Sequence, residues 1–221
     1  MYKYILFDLD NTLLDFNAGE LNVLKTIFHS EGIEMNDENL SLYREINGDL
    51  WRKLESEEVV INDVLFGRFE RFFNHFGISV NGEQKEQMFR KGINDAHDLI
   101  KDAKDILNYV KNKGYTIATA SNGLYETQMK RMADSDILKY FDYHFISGQI
   151  GYNKPHAAFY QHCLNKLEAG NASEVLMIGD NIVSDIQGAH NAGIATCYFG
   201  EVDDVEADYS IRALEEFKNI V

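Results

Sequence analysis

The stretch YKYILFDLDNTLLD, Tyr2 to Asp15, decides how this chain is read. Tyr4, Ile5, Leu6 and Phe7 form a short apolar run without alternation, the pattern of a strand buried on both faces of a parallel sheet. Asp8 and Asp10 follow, two residues apart. In an extended chain the side chains at i and i+2 point the same way, so both carboxylates are expected to face one spot. Open α/β sheets bind ligands beyond the carboxyl ends of their strands. Two like charges placed there repel unless a cation or a proton lies between them. The line therefore predicts a metal site, a proton-transfer pair, or both. An Asp-rich turn built on Asn11 is the plain alternative.

Outward from this stretch, four more apolar segments read as strands: Tyr115–Ala120, Tyr143–Ile146, Val175–Ile178 and Ile194–Tyr198. Helical patterns over Ala103–Lys113, Phe159–Leu167 and Asp185–Asn191 separate them. Strands alternating with helices predict βαβ units and a parallel sheet with right-handed crossovers. One region breaks the rhythm. Residues 16–95 carry helical spacing at Leu21, Leu24, Ile27 and Phe28, then over Leu40–Ile46, Val60–Phe76 and Gln84–Ile93, with no convincing strand. That span is too long for a βα connection and predicts an all-helical insert standing on the strand ends. The expected domains are a core of residues 1–15 and 96–221 and an insert of residues 16–95.

Bulk properties exclude several classes. A chain of 221 residues suits one domain, or a domain with an insert. It can bury about 70% of its unfolded surface without disulfides. The formal charge of −15 argues against a nucleic-acid polymer as partner, but not against a small anion met by local Lys, Arg, backbone N–H groups or a cation. The acidic run Glu201, Asp203, Asp204, Glu206 and Asp208 reads as a solvated loop. Cys163 and Cys197 have no metal-ligand spacing, so they read as core thiols in a reducing compartment, the cytoplasm. No leader precedes the first strand and no apolar run approaches the ~20 residues of a membrane span, so no membrane partner is expected.

The residues after each strand carry the chemistry. The first strand leads to Asp8 and Asp10, the second to Ser121-Asn122-Gly123, the third to Lys154-Pro155, and the fourth to Gly179-Asp180-Asn181 with Asp185 a turn later. In a parallel sheet these ends share one edge. A carboxylate, with a reference pKa of ~3.9, is an ionised nucleophile at neutral pH without an adjacent base. Phosphoryl transfer needs positioning and charge neutralisation above all. Lys154 can neutralise one side and the Ser121 hydroxyl can cradle another. Asp8, Asp10 and Asp180 form an all-oxygen set suited to Mg²⁺. Four carboxylates against one lysine call for a cation.

The order and spacing resemble the haloacid dehalogenase (HAD) superfamily in its phosphatase branch. FDLDNT is similar to its D-x-D-x-T motif, Ser121 to its second motif, Lys154 to its third, and GDNIVSD to its GD-x-x-x-x-D motif. The resemblance implies an α/β fold with a Rossmann-like parallel core and a helical C1 cap. It implies Asp8 as the nucleophile that forms an aspartyl-phosphate, and Asp10 as acid and then base. Thr12 would steady the loop, while Ser121, Asn122 and Lys154 would hold the phosphoryl group. Mg²⁺ would bind Asp8, the Asp10 backbone carbonyl and Asp180, with Asp185 in support. A cap that opens for substrate and closes over it is expected. YREINGDLW, FGRFERFF, SGQIGYNKPHAAFY and HNAGIATCY further resemble the YjjG/YfnB subgroup, which implies a small phosphorylated metabolite as partner, a pyrimidine nucleoside 5′-monophosphate first and a sugar phosphate or phosphoglycolate second.

Dehalogenases of the superfamily lack the second aspartate, so Asp10 favours a phosphatase. No G-x-G-x-x-G follows the first strand and no P-loop motif occurs, which argues against a dinucleotide module. A silent scaffold would have lost Asp8 or Lys154. In the insert, Arg52, Arg68 and Arg71 could reach an anion, with an exposed or paired face as the default. Trp51 and Phe16 could stack on a nucleobase, with bundle packing favoured for Trp51. His156 could lie near the site or cap a helix start.

Overall fold

The computed structural model describes residues 2–221. All six strands run parallel, in the order β3-β2-β1-β4-β5-β6. They are β1 Tyr4–Phe7, β2 Thr116–Ser121, β3 Tyr143–Ile146, β4 Val175–Gly179, β5 Ala195–Phe199 and β6 Tyr209–Ile211. The order reverses at β1, which lies between β2 and β4, the point where open α/β sheets form their ligand crevice. Register brings Phe7 level with Thr119 on one side and Ile178 on the other, so the residues just beyond these three strands meet at one edge.

The absence of alternation in β1 has a simple cause. Ile5 and Phe7 enter a core layer with Leu107, Val110, Ile117, Ile178 and Phe217. Leu6 points the other way, among Ala118, Ala120, Phe145, Phe159 and Met177. Both faces are dry, so every position is apolar. Cys163 and Cys197 are free, fully buried members of these two layers.

Residues 17–96 form a second compact unit, while 1–16 and 97–221 form the first. The second unit is helical: α1 Phe16–Ser30, α2 Asp37–Glu55, α3 Ile61–Leu65, α4 Gly67–His75 and α5 Gly82–Asp95. Asn36 and Asn81 cap α2 and α5, each side chain accepting from a backbone N–H at 2.9 Å. Its interior is aromatic: Phe28 stacks on Phe72 at 4.3 Å, and Tyr43, Phe69, Phe73 and Phe89 close around them. Arg68 is buried, paired with Glu86 at 2.5 Å, and its guanidinium lies over the Phe89 ring at 4.3 Å. Arg52 is exposed and Trp51 half-buried.

Three expectations change in detail. The Val60–Phe76 pattern is two helices, broken at Phe66. The acidic run ends in structure: Asp208 accepts from the Thr196 N–H at 2.8 Å and its hydroxyl at 3.2 Å, which docks β6 on β5. Residues 182–187 form a π-helical turn before a short helix (Gly188–Asn191). His156 caps the helix Ala157–Lys166, its Nδ1 accepting from the Ala158 N–H at 3.0 Å. No helix among the described residues is long and apolar enough to cross a membrane.

Candidate active site

The ladder of β1 continues one residue past the strand, since the Asp8 N–H donates to the Ile178 carbonyl at 2.9 Å. The chain then coils. The N–H groups of Thr12, Leu13 and Leu14 all donate to the Leu9 carbonyl, and Asn11 takes φ = 61°, a conformation Asn tolerates. This coil separates the two aspartates, which the extended reading had sent to one spot. Asp8 stays buried at the sheet edge, while Asp10 is half-buried and bonded to a different element.

Lys154 is 1% exposed. Its ammonium has three protons and finds three acceptors: Asp8 Oδ1 at 2.7 Å, Asp185 Oδ1 at 2.6 Å and the Ala120 carbonyl at 2.5 Å. Asn122 fixes the lysine's backbone from both sides, donating to its carbonyl at 2.8 Å and accepting from its N–H at 2.7 Å. The Asn122 side chain is thus committed to Lys154. The Thr12 hydroxyl lies 3.4 Å from Asp8 Oδ2 and 3.3 Å from Asp180 Oδ1. Asp185 is held by the Asn181 N–H at 3.0 Å, at the start of a π turn that Asn181 itself caps. Gly179 makes this reach possible, since a Cβ there would stand 2.2 Å from Asp185 Oδ2.

Asp8, Asp180 and Asp185 each present an oxygen, and these oxygens lie within 4.8 Å of one another. One lysine cannot neutralise three carboxylates. Burial pushes Asp8 well above the usual carboxylate range; Lys154 opposes this, and Asp185 and Asp180 add to it. Asp180 is pushed up to about 7 by burial and by Asp185, against Lys154 and Thr12. Burial alone would lower Lys154, but Asp185 and Asp8 hold it above its ordinary value. An all-carboxylate group with surplus negative charge fits a hard divalent cation. The Asp10 carboxylate lies outside this group.

Sequence reasoning missed the partners of Asp10. Helix α6 (Ala103–Asn112) precedes β2, and the next helix, α7 (Tyr125–Asp134), presents Gln128, 2% exposed, and Arg131, 1% exposed, one turn apart. Arg131 Nη1 pairs with Asp10 Oδ1, and Gln128 Nε2 donates to Asp10 Oδ2 at 2.7 Å. The same amide donates to Ser121 Oγ at 2.9 Å, and its Oε1 accepts from Arg131 Nη1 at 3.0 Å. The available signal was the i,i+3 spacing of the two directly after the Ser121-Asn122-Gly123 turn. Phe16, considered as a nucleobase platform, has the Arg131 guanidinium 5.7 Å from its ring centre.

A profile of haloacid dehalogenase-like hydrolases matches residues 5–199. The HAD-hydrolase YfnB of Bacillus subtilis is 30% identical, over 100% of this chain and 95% of its own. Its crystal structure, bound to magnesium, superposes with a TM-score of 0.94 over 99% of this chain and 98% of that one. The pyrimidine 5′-nucleotidase PynA of Streptococcus pneumoniae is 34% identical over 90% of this chain and 84% of its own. The pyrimidine 5′-nucleotidase YjjG of Escherichia coli is 24% identical over 100% and 98%. With its Rossmann-like sheet, its four motifs on adjoining strand ends and a match over most of its length, the chain belongs to the haloacid dehalogenase-like hydrolases.

Proposed function

We propose that this protein is a Mg²⁺-dependent phosphomonoester hydrolase that acts on pyrimidine nucleoside 5′-monophosphates through an aspartyl-phosphate. The observation that carries the hydrolase chemistry is the separation of two carboxylates: Asp8 beside Lys154 at 2.7 Å, and Asp10 on its own support from α7. An Asp8 oxygen attacks phosphorus, the bond to the leaving oxygen breaks, and protonated Asp10 delivers a proton to that oxygen. Asp10 then takes a proton from water, which attacks the same phosphorus and frees inorganic phosphate and Asp8. Lys154, the Ser121 hydroxyl and the backbone N–H of Asn122 neutralise and position the phosphoryl oxygens. Asp8, Asp180 and Asp185, with the Asp10 backbone carbonyl, would hold Mg²⁺, which supplies further charge neutralisation when bound. The nucleotide part of the reading draws its support from the likeness to PynA and YjjG. In this reading the insert, residues 16–95, selects among leaving groups.

Phosphate release measured across nucleoside monophosphates and sugar phosphates tests each part. Release from uridine and thymidine monophosphates is expected with Mg²⁺ and is lost on chelation with EDTA. Hydrolysis of sugar phosphates alone would remove the nucleotide assignment but keep the phosphatase. Phosphate release indifferent to EDTA would refute the Mg²⁺ dependence, and no release from any phosphate ester would favour dehalogenase chemistry. Asp8→Asn should cut turnover by roughly 10⁴-fold or more with an unchanged circular dichroism spectrum; retained activity would rule out Asp8 as the nucleophile.

A further inference from the structure

We infer that Gln128 and Arg131 are positioning residues that hold the Asp10 carboxylate in its proton-transfer orientation. The inference rests on the phosphatase reading above. Asp10 lies within the coil that runs from Leu9 to Leu14, and it is half-buried. Its orientation comes from α7, where each carboxylate oxygen meets one buried donor: Oδ1 from Arg131 and Oδ2 from Gln128 at 2.7 Å.

The Gln128 amide cannot be turned over. Its Oε1 accepts from Arg131 Nη1 at 3.0 Å, so its two amide protons point at Asp10 Oδ2 and Ser121 Oγ, both acceptors there. A flipped amide would set an oxygen against a carboxylate and an N–H against a guanidinium. Gly123 leaves the room, since a Cβ there would come within 3.0 Å of Gln128 Nε2. Each Asp10 oxygen accepts once from α7 and keeps a second lone pair for the proton and for the leaving group or water. A fork with one preferred geometry removes the rotamer search that a free carboxylate would make before each transfer.

The test compares kcat/KM for two substrates. Uridine 5′-monophosphate has an alkoxide leaving group that needs a proton, whereas p-nitrophenyl phosphate has one that departs without it. Arg131→Lys, which keeps the charge and loses the fork, and Gln128→Leu, which keeps the volume and loses the donors, should each lower kcat/KM on the nucleotide by about 10- to 100-fold more than on p-nitrophenyl phosphate. In an Asp10→Asn background neither variant should lower nucleotide turnover further. Equal losses on both substrates, no loss, or full additivity with Asp10→Asn would overturn the inference and leave the phosphatase reading intact. Two variants guard against one failing to fold, checked by thermal melting. A wild-type enzyme inactive on both substrates would instead refute the phosphatase reading, and this inference with it.

Discussion

Gly179 shows how little a residue need contribute in order to be required. Its missing Cβ admits Asp185, which would otherwise face an atom 2.2 Å from Oδ2 and another contact at 2.4 Å to its carboxyl carbon. The obstacle in Gly179→Ala is a buried carboxylate already fixed by Lys154 and the Asn181 N–H. Displacing it should destabilise the fold by about 1–3 kcal/mol and weaken the proposed Mg²⁺ site. Thermal melting with and without Mg²⁺ checks this; a variant that melts and binds like wild type would mean the turn relaxes freely. At this scale the sequence indicated which residues meet at the sheet edge but not how they pair. Asp8, Ser121, Lys154 and Asp180 were legible because each follows an apolar run. Gln128 and Arg131 were not, because Gln128, Lys130 and Arg131 with one Met129 among them read as a solvated helix face.

Among the elements, β6 is held by very little. It is three residues long, and its approach is pinned by Asp208 to the buried Thr196. Asp208→Ala leaves the Thr196 N–H and hydroxyl without that acceptor, at a cost of about 1–3 kcal/mol, and should speed amide exchange in β6 before any other strand. Exchange that stays uniform across the sheet would show the pin to be dispensable. The five other strands were legible because each carries a short, largely apolar run. β6 was not, since Tyr209 and Ser210 are exposed and the acidic residues before them hide it. The split of Val60–Phe76 escaped for the opposite reason: Phe66 keeps the apolar spacing while the backbone breaks.

Across the whole molecule, stability should depend on pH through groups outside the site. His144 on β3 is partly buried, its Nδ1 has no hydrogen-bond partner, and burial lowers its pKa below the ordinary value. A histidine depressed in the folded state binds fewer protons there than in the unfolded chain. Its contribution is therefore present above the unfolded pKa of ~6.5 and is lost as pH falls through the lower folded value. Denaturant midpoints between pH 7.5 and 5 should fall more steeply for wild type than for His144→Gln; equal slopes would refute this.

The hydrogen bond from the Asp15 N–H to the Asp98 carbonyl, at 2.8 Å, and the bridge between Leu14 and Leu99 tie the two ends of the helical excursion together at its root. To the sheet, residues 16–97 are a closed loop. Closure entropy grows only logarithmically, about 0.6 kcal/mol for each doubling of length. The core is therefore nearly indifferent to how much chain hangs from that root. The catalytic strands can keep their register while the excursion lengthens, shortens or is replaced by another fold, so one chemistry can be refitted to new substrates by grafting at a single point.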